Sequence, residues 1–212
     1  MRDDNPPRAP LRRLAGGNVG ERIFLASSNP GKLREYRDLA SGSGIRLEGL
    51  PNFSALAPFG ESAPTFAENA AGKALYYSRF AHGAVLADDS GLVVPALGGL
   101  PGVHSARFAG PHATDVDRYE KLLRDMEGRE GRARGASFVC VIALAFDGRA
   151  LVIVSERADG VLAREPRGSG GFGYDPIFFF PELGLTYAEL APELKNAYSH
   201  RGKAFRRLVN FI

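Results

Sequence analysis

Apolar residues in this chain come in short runs, each of which stops at a polar or glycine-rich stretch. Ile23-Phe24-Leu25-Ala26 is one such run, and it ends at Ser27-Ser28-Asn29-Pro30-Gly31-Lys32. The pattern predicts a buried strand that feeds a polar turn. Asn29 is a good helix cap and Pro30 a good first helical residue, and Leu33, Tyr36, Arg37 and Ala40 follow at helical spacing. Gly42 and Gly44 would close that helix. Ile45 to Leu50 reads as a second strand and residues 51–64 as a loop. Thr65-Phe66-Ala67-Glu68 has the capping-box pattern, which predicts a helix to about Phe80 with Phe66, Ala70, Ala74 and Tyr77 inward.

Ala84 to Ala87 is again apolar and stops at the charged stretch Asp88-Asp89-Ser90-Gly91, after which Leu92 to Leu97 reads as a separate strand. Residues 98–110 read as a loop, Thr114 to about Glu127 as a helix, and residues 128–135 as a basic loop. Asp147-Gly148 joins the apolar runs Ser137 to Phe146 and Arg149 to Ser155, a strong hairpin signal. A short strand at Val161 to Arg164, a glycine-rich loop at Pro166 to Gly173 and a strand at Ile177 to Phe180 follow. Short helical segments near Tyr187 to Leu190 precede a final helix from Arg201 to Phe211, with Ser199 as its cap. Strands that alternate with helices early and pair as a hairpin late predict an α/β fold, a mixed β-sheet flanked by helices. The first strand-turn-helix lacks the three glycines of a dinucleotide fold, and Lys32 is not placed as a P-loop lysine.

Composition narrows this picture only a little. The chain has 212 residues, 44% of them hydrophobic and 24% charged, which suits one large soluble domain or two intimate lobes. Residues 1–21 are rich in Pro, Arg, Gly and Asp and read as a flexible N-terminal tail, which leaves residues 22–212 as a single domain. Neither a transmembrane stretch nor the apolar middle of a signal peptide is visible, so no membrane partner is expected. The formal net charge of +3 fits an anionic partner without separating nucleic acid from nucleotide. Cys140, the single cysteine, sits in an apolar run and reads as a small buried hydrophobe in a reducing compartment, so a cytoplasmic location is expected.

Four constellations could carry chemistry. The turn from Ser27 to Lys32 offers free backbone N–H groups, a hydroxyl, an amide and a lysine at the positive end of a helix, where phosphate is favoured. An Asn-Pro helix start with a surface lysine would look the same. Glu68 and the adjacent Asp88 and Asp89 are hard oxygen ligands suited to Mg²⁺, although a capping box and a turn would also use them. Lys73, on the helix of Glu68, could reach a phosphate or simply reach solvent. In Gly168-Ser169-Gly170-Gly171-Phe172-Gly173-Tyr174-Asp175-Pro176 the glycines admit a close ligand, and Phe172 and Tyr174 offer faces for a base. Those aromatics could equally pack on the core. Lys195 with Ser199-His200-Arg201-Gly202-Lys203 places positive charge at a helix start, where the dipole disfavours it unless an acceptor-rich group is bound.

The wording and order of these segments resemble the inosine triphosphate pyrophosphatase family. The resemblance rests on Ser27 to Lys32, Thr65 to Ala70 with Lys73, Ala87 to Gly91, Gly98 to Gly102 with Ser105-Ala106-Arg107, Gly170 to Pro176, and Ser199 to Gly202, and it spans nearly all of residues 22 to 211. It implies two lobes with a central substrate cleft, a homodimer, and Mg²⁺-dependent attack of water on the α-phosphorus of ITP, dITP or XTP with pyrophosphate leaving. By position, Ser27, Ser28, Asn29, Pro30, Gly31 and Lys32 would line the triphosphate site with help from Lys73. Glu68 and Asp89 would hold Mg²⁺ with Asp88 nearby, Asp89 would be the general base, and Ser90 a substrate contact. Phe172, Gly173, Tyr174, Asp175, Lys195, His200 and Arg201 would recognise the base, whose 6-keto oxygen accepts hydrogen bonds where adenine donates. Ser27 stands where the family also uses Thr, and either supplies a hydroxyl. Two rivals are a pyrophosphatase for pyrimidine or modified nucleotides and a nucleotide or nucleic-acid binder without catalysis. The carboxylates argue against the second, because a pure binder of anions has no use for them.

Overall fold

A computed structural model describes residues 22–212. The tail expected at residues 1–21 lies outside them. The strands are β1 (Ile23–Leu25), β2 (Leu47–Gly49), β3 (Ala84–Val93), β4 (Gly135–Phe146), β5 (Arg149–Leu162), β6 (Phe178–Phe180) and β7 (Leu185–Thr186). The α-helices are α1 (Pro30–Ala40), α2 (Phe66–Tyr77), α3 (Asp115–Asp125), α4 (Pro192–Tyr198) and α5 (His200–Val209). One seven-stranded sheet runs in the order β2-β1-β3-β4-β5-β6-β7. β1 pairs parallel with β2 and β3, and every later pairing is antiparallel, so the sheet is mixed as its sequence pattern predicts. The Asp147-Gly148 turn joins β4 to β5 with φ of 48° and 70°, the left-handed values such a two-residue hairpin requires.

Each face of the sheet carries helices. Ile23, Leu25, Leu86, Ile142 and Leu144 pack with Tyr36 of α1 and Phe205 and Leu208 of α5. Phe24, Ala26, Val85, Ala87, Val141 and Ala143 face the other way, against Ala70, Ala74 and Tyr77 of α2. Strand alternation alone sorts these two sets. A third cluster joins Leu122 of α3 and Met126 just after it to Phe138 of β4, Phe178 of β6 and Tyr187 after β7.

Two strands are longer than their apolar runs. β3 does not stop at the acidic pair but continues through it to Val93, with Asp88 and Asp89 paired in register to Ile142 and Val141 of β4. β5 runs unbroken for 14 residues, so the strand expected at Val161 to Arg164 is its end. In both places the partner strand β4 supplies hydrogen bonds that hold polar residues in the sheet, an effect no local pattern carries.

Candidate active site

A cavity of about 310 Å³ opens where β1, β3 and the 168–175 loop converge. Its first wall comes from the turn into α1. Asn29 caps the helix by accepting from the Lys32 backbone N–H at 3.0 Å, and its own N–H donates to Ser27 Oγ at 3.2 Å. Ser27, Ser28, Asn29 and Lys32 line the cavity. Pro30 and Gly31 form the first helical positions, and the Phe172 ring lies so close over Gly31 that an added Cβ would stand 2.5 Å from it.

Strand alternation separates the two aspartates of β3. Asp88 follows Leu86 onto the face of α1 and α5, where it is fully buried. Lys32 Nζ lies 3.1 Å from Asp88 Oδ1 and Arg201 Nε 3.3 Å from Oδ2. Burial opposes ionisation there, but the charges of Lys32, Arg201 and Lys73 outweigh it and hold the carboxyl at about 2. Asp88 therefore anchors two cations from below and does not line the cavity. It is not a partner of Asp89, which follows Ala87 onto the face of α2. Asp89 Oδ2 accepts from Asn69 Nδ2 at 2.9 Å, and Oδ1 from the Ser90 N–H at 3.0 Å. Burial pushes the Asp89 carboxyl up to about 6; Lys32 and the Asn69 bond pull it down, and Glu61 and Asp88 add to the rise.

Helix α2 also corrects one assignment. Glu68 is exposed, does not line the cavity, and accepts from Thr65 Oγ1 at 2.6 Å as part of the helix cap. At about 100° per residue the inward side chains are Asn69 and, four positions on, Lys73. The carboxylate that does line the cavity beside Asp89 is Glu61, from the loop before α2, with Lys73 Nζ 2.6 Å from its Oε1.

The wall formed by the 168–175 loop, α4 and α5 is aromatic and closely hydrogen-bonded. Asp175 Oδ2 accepts from the Phe172 N–H at 2.7 Å and from Lys195 Nζ. Asp115 Oδ2 accepts from the Gly173 N–H at 2.7 Å, and Tyr174 donates its hydroxyl to the Ser105 carbonyl at 2.9 Å. Glu35 of α1 accepts from both Lys195 and Arg201. Arg201 also donates from Nη2 to Ser90 Oγ at 2.8 Å. His200 is 4% exposed and stacks on Phe138, ring centroids 4.7 Å apart. Burial, and then the charges of Arg201 and Lys195, hold its imidazole well below the ordinary histidine range, so it is neutral. Its Nδ1 has no hydrogen-bond partner among the described residues.

A cavity lined by cations, amide donors and the aromatic rings of Phe138, Phe172 and Tyr174 suits an anionic ligand with a flat ring. Residues 23–211 match the profile of the Ham1 family. The chain belongs to the Ham1 family. Its relatives include two proteins named dITP/XTP pyrophosphatase. That of Geobacillus kaustophilus is 49% identical over 186 residues, 88% of this chain and 91% of its own. That of Thermus thermophilus is 48% identical over 191 residues, 90% and 91% respectively. Among solved structures, a HAM1 protein from Coxiella burnetii superposes with a TM-score of 0.79 at 44% identity, covering 90% of this chain and 97% of that one. The Staphylococcus aureus Ham1 protein gives 0.78 at 36% identity, over 90% and 97%.

The residues of this Ham1 cavity fit a divalent cation. Glu61 and Asp89 are hard oxygen ligands, and Asp89 lacks enough positive charge to keep its carboxyl in the usual range. Among the described residues no cluster of three or more acidic, His or Cys side chains forms a metal cage. Mg²⁺ characteristically takes one or two carboxylates and completes its coordination with water and phosphate. The sequence patterns mark the Ser27–Lys32 turn, the Asp89-Ser90 pair and the Phe172 loop of this Ham1 cavity, but not Glu35, Glu61, Asn69, Phe138 or Asp115. The i,i+4 spacing of Asn69 and Lys73 was a usable signal for one of these. Glu35 had none, because its partners lie at the opposite end of the chain.

Proposed function

We propose that this Ham1-family chain hydrolyses the non-standard purine nucleoside triphosphates ITP, dITP and XTP to the monophosphate and pyrophosphate. The observation that carries the reading is one cavity that Asp89 shares with the Ser27–Lys32 turn, Phe172 and neutral His200. In this reading the Ser27 hydroxyl, Ser28, Asn29, the backbone at Pro30 and Gly31, Lys32 and Lys73 hold the triphosphate at the start of α1. Phe172 stacks on the purine, with Gly173, Tyr174 and Asp175 completing the wall. Lys195, His200 and Arg201 donate toward the 6-keto oxygen, and Glu35 and Ser90 hold Arg201 for that task. An adenine 6-amino group would meet donors with a donor.

Asp89 takes the general-base role. Asn69 Nδ2 and the Ser90 N–H hold its two oxygens in place to draw a proton from the attacking water. Glu61 and Asp89, rather than Glu68, would hold Mg²⁺ with the phosphates. The bound ion would neutralise charge that develops on the leaving pyrophosphate and lower the pKa of coordinated water. Residues 22–212 act as one catalytic domain with a lobe on each side of the cleft, and the cytoplasmic homodimer carries over from the resemblance. Light scattering during gel filtration checks the assembly, and a monomer mass at micromolar concentration would remove it.

The test is pyrophosphate release from ITP, XTP, GTP, ATP, dTTP and UTP, with Mg²⁺ and with a chelator. Metal-dependent release that favours ITP and XTP is the expected result. Release that favours dTTP or UTP, or none at all, would overturn the reading. Asp89→Asn is expected to abolish turnover while nucleotide binding persists.

A further inference from the structure

Six cationic side chains line the cavity: Lys32, Lys73, Arg107, Arg118, Lys195 and Arg201. Five of them already have carboxylates. Lys32 pairs with Asp88, Lys73 with Glu61, Arg118 with Asp115, Lys195 with Glu35 and Asp175, and Arg201 with Glu35 and Asp88. Arg107 has no carboxylate within ion-pair distance among the described residues. Its one side-chain hydrogen bond among the described residues runs from Nη2 to the Glu61 backbone carbonyl, a neutral acceptor, at 3.1 Å. Among the described residues, Arg107 is thus the one cation of the cavity lining without a carboxylate partner.

The fold fixes where that charge stands. Arg107 ends a 3₁₀ turn at Gly102–Arg107. Ser105 ties the turn to β3, since Ser105 Oγ accepts from the Leu92 N–H at 2.9 Å and donates to the Gly102 carbonyl at 2.7 Å. The turn presses on Gly91, where an added Cβ would stand 2.4 Å from Ser105 Oγ and 2.5 Å from the Gly102 carbonyl oxygen. The guanidinium donates to the backbone of Glu61, the residue whose carboxylate pairs with Lys73, so it stands beside the loop before α2. A guanidinium offers five N–H donors in a planar fork that matches phosphate oxygens.

We propose that Arg107 binds the terminal two phosphates of the substrate and so makes the site select for triphosphates. The proposal rests on the hydrolysis reading above for the identity of the substrate, but its test does not need turnover. Inorganic pyrophosphate with Mg²⁺, and separately IMP, are titrated calorimetrically into the full-length wild type, Arg107→Gln and Arg107→Lys. Loss of a charge-assisted phosphate contact predicts pyrophosphate binding weakened about tenfold to a hundredfold in Arg107→Gln, with IMP binding within about twofold of wild type. Arg107→Lys recovers part of the loss, since it restores the charge without the fork. Unchanged pyrophosphate affinity in Arg107→Gln, equal weakening of pyrophosphate and IMP, or no pyrophosphate binding by wild type would each overturn it. Failure of the wild type to release pyrophosphate from ITP would instead sink the hydrolysis reading, and the titration would still decide on Arg107. The exposed position of Arg107 keeps the fold out of the comparison.

Discussion

His200 is neutral in the folded chain because burial and two neighbouring cations oppose its protonation. The unfolded chain binds a proton on this imidazole below its ordinary value near 6.5, and the folded chain does not. Its contribution to stability is therefore full above that value and is lost as the pH falls toward the lowered folded value. The same logic says that base selection does not titrate with His200, so the ITP to GTP rate ratio is expected to be flat between about pH 6 and 9. A ratio that changes with an apparent pKa near 6.5 would contradict a neutral His200. His200→Ala or Arg201→Ala is expected to narrow that ratio, and an unchanged ratio in both would place base selection elsewhere. Asp89 has the opposite sign. Its carboxyl is raised from 3.8 to about 6, so its effect on stability is lost as the pH rises through about 6, above which the ionised group is a cost to the metal-free fold. At pH 7.5, Asp89→Asn should stabilise the metal-free protein by about 1–3 kcal/mol in thermal unfolding. Added Mg²⁺ should raise the melting temperature of wild type more than that of the variant, and an equal shift would remove Asp89 from the cation site. At this scale the sequence was legible in its residue types but not in their directions. The adjacency of Asp88 and Asp89 suggested one shared cation, whereas strand alternation sends one carboxylate to Lys32 and Arg201 and the other to the cavity.

Elements were read well wherever a cap or turn residue marked an end. Asn29 caps α1, Thr65 caps α2 and Ser199 caps α5, as their positions before each helix suggest. Unmarked elements were read less well. α4 has only 7 residues and no side-chain cap bond, so neither periodicity nor punctuation announces it, although it delivers Lys195. The apolar run of β3 stops at its acidic pair, whereas its pairing with β4 continues across both aspartates. The start of α1 depends on a residue that no element label reveals. Gly31 leaves room for the Phe172 ring, so Gly31→Ala must displace the ring or the helix. Overpacking of this kind costs about 1–3 kcal/mol. The expected kinetic signature is a raised KM for ITP with a smaller change in kcat, since the displaced ring belongs to the base wall. Steady-state kinetics on ITP check this, and an unchanged KM would mean that Phe172 does not stack on the base.

Across the whole molecule, the cavity is assembled from both ends of the described chain. Glu35 in the middle of α1 accepts from Lys195 and Arg201, which lie 160 and 166 residues further on. Family resemblance could align those two cations with a base site, but it gave no reason to look for their counter-charge, because no short-range pattern links positions so far apart. Burial opposes ionisation of Glu35, and the two cations outweigh it and lower its pKa. Glu35→Ala would leave both cations buried with less compensation, and removal of one member of such a network typically costs about 3–5 kcal/mol. Chemical denaturation measures it, and a loss under about 1 kcal/mol would show that Asp88 and Asp175 suffice. The same bridge sets an order of events during synthesis. Contacts between distant parts of a chain form only after both have been made, and domains are built from the N-terminus onward. Until α4 and α5 have left the ribosome, Glu35 and Asp88 have no Lys195 or Arg201 to bury against. A nascent chain stalled before residue 195 therefore carries the Ser27–Lys32 turn without the wall that Lys195, His200 and Arg201 supply, and the cavity comes into being only with the last few helical turns translated.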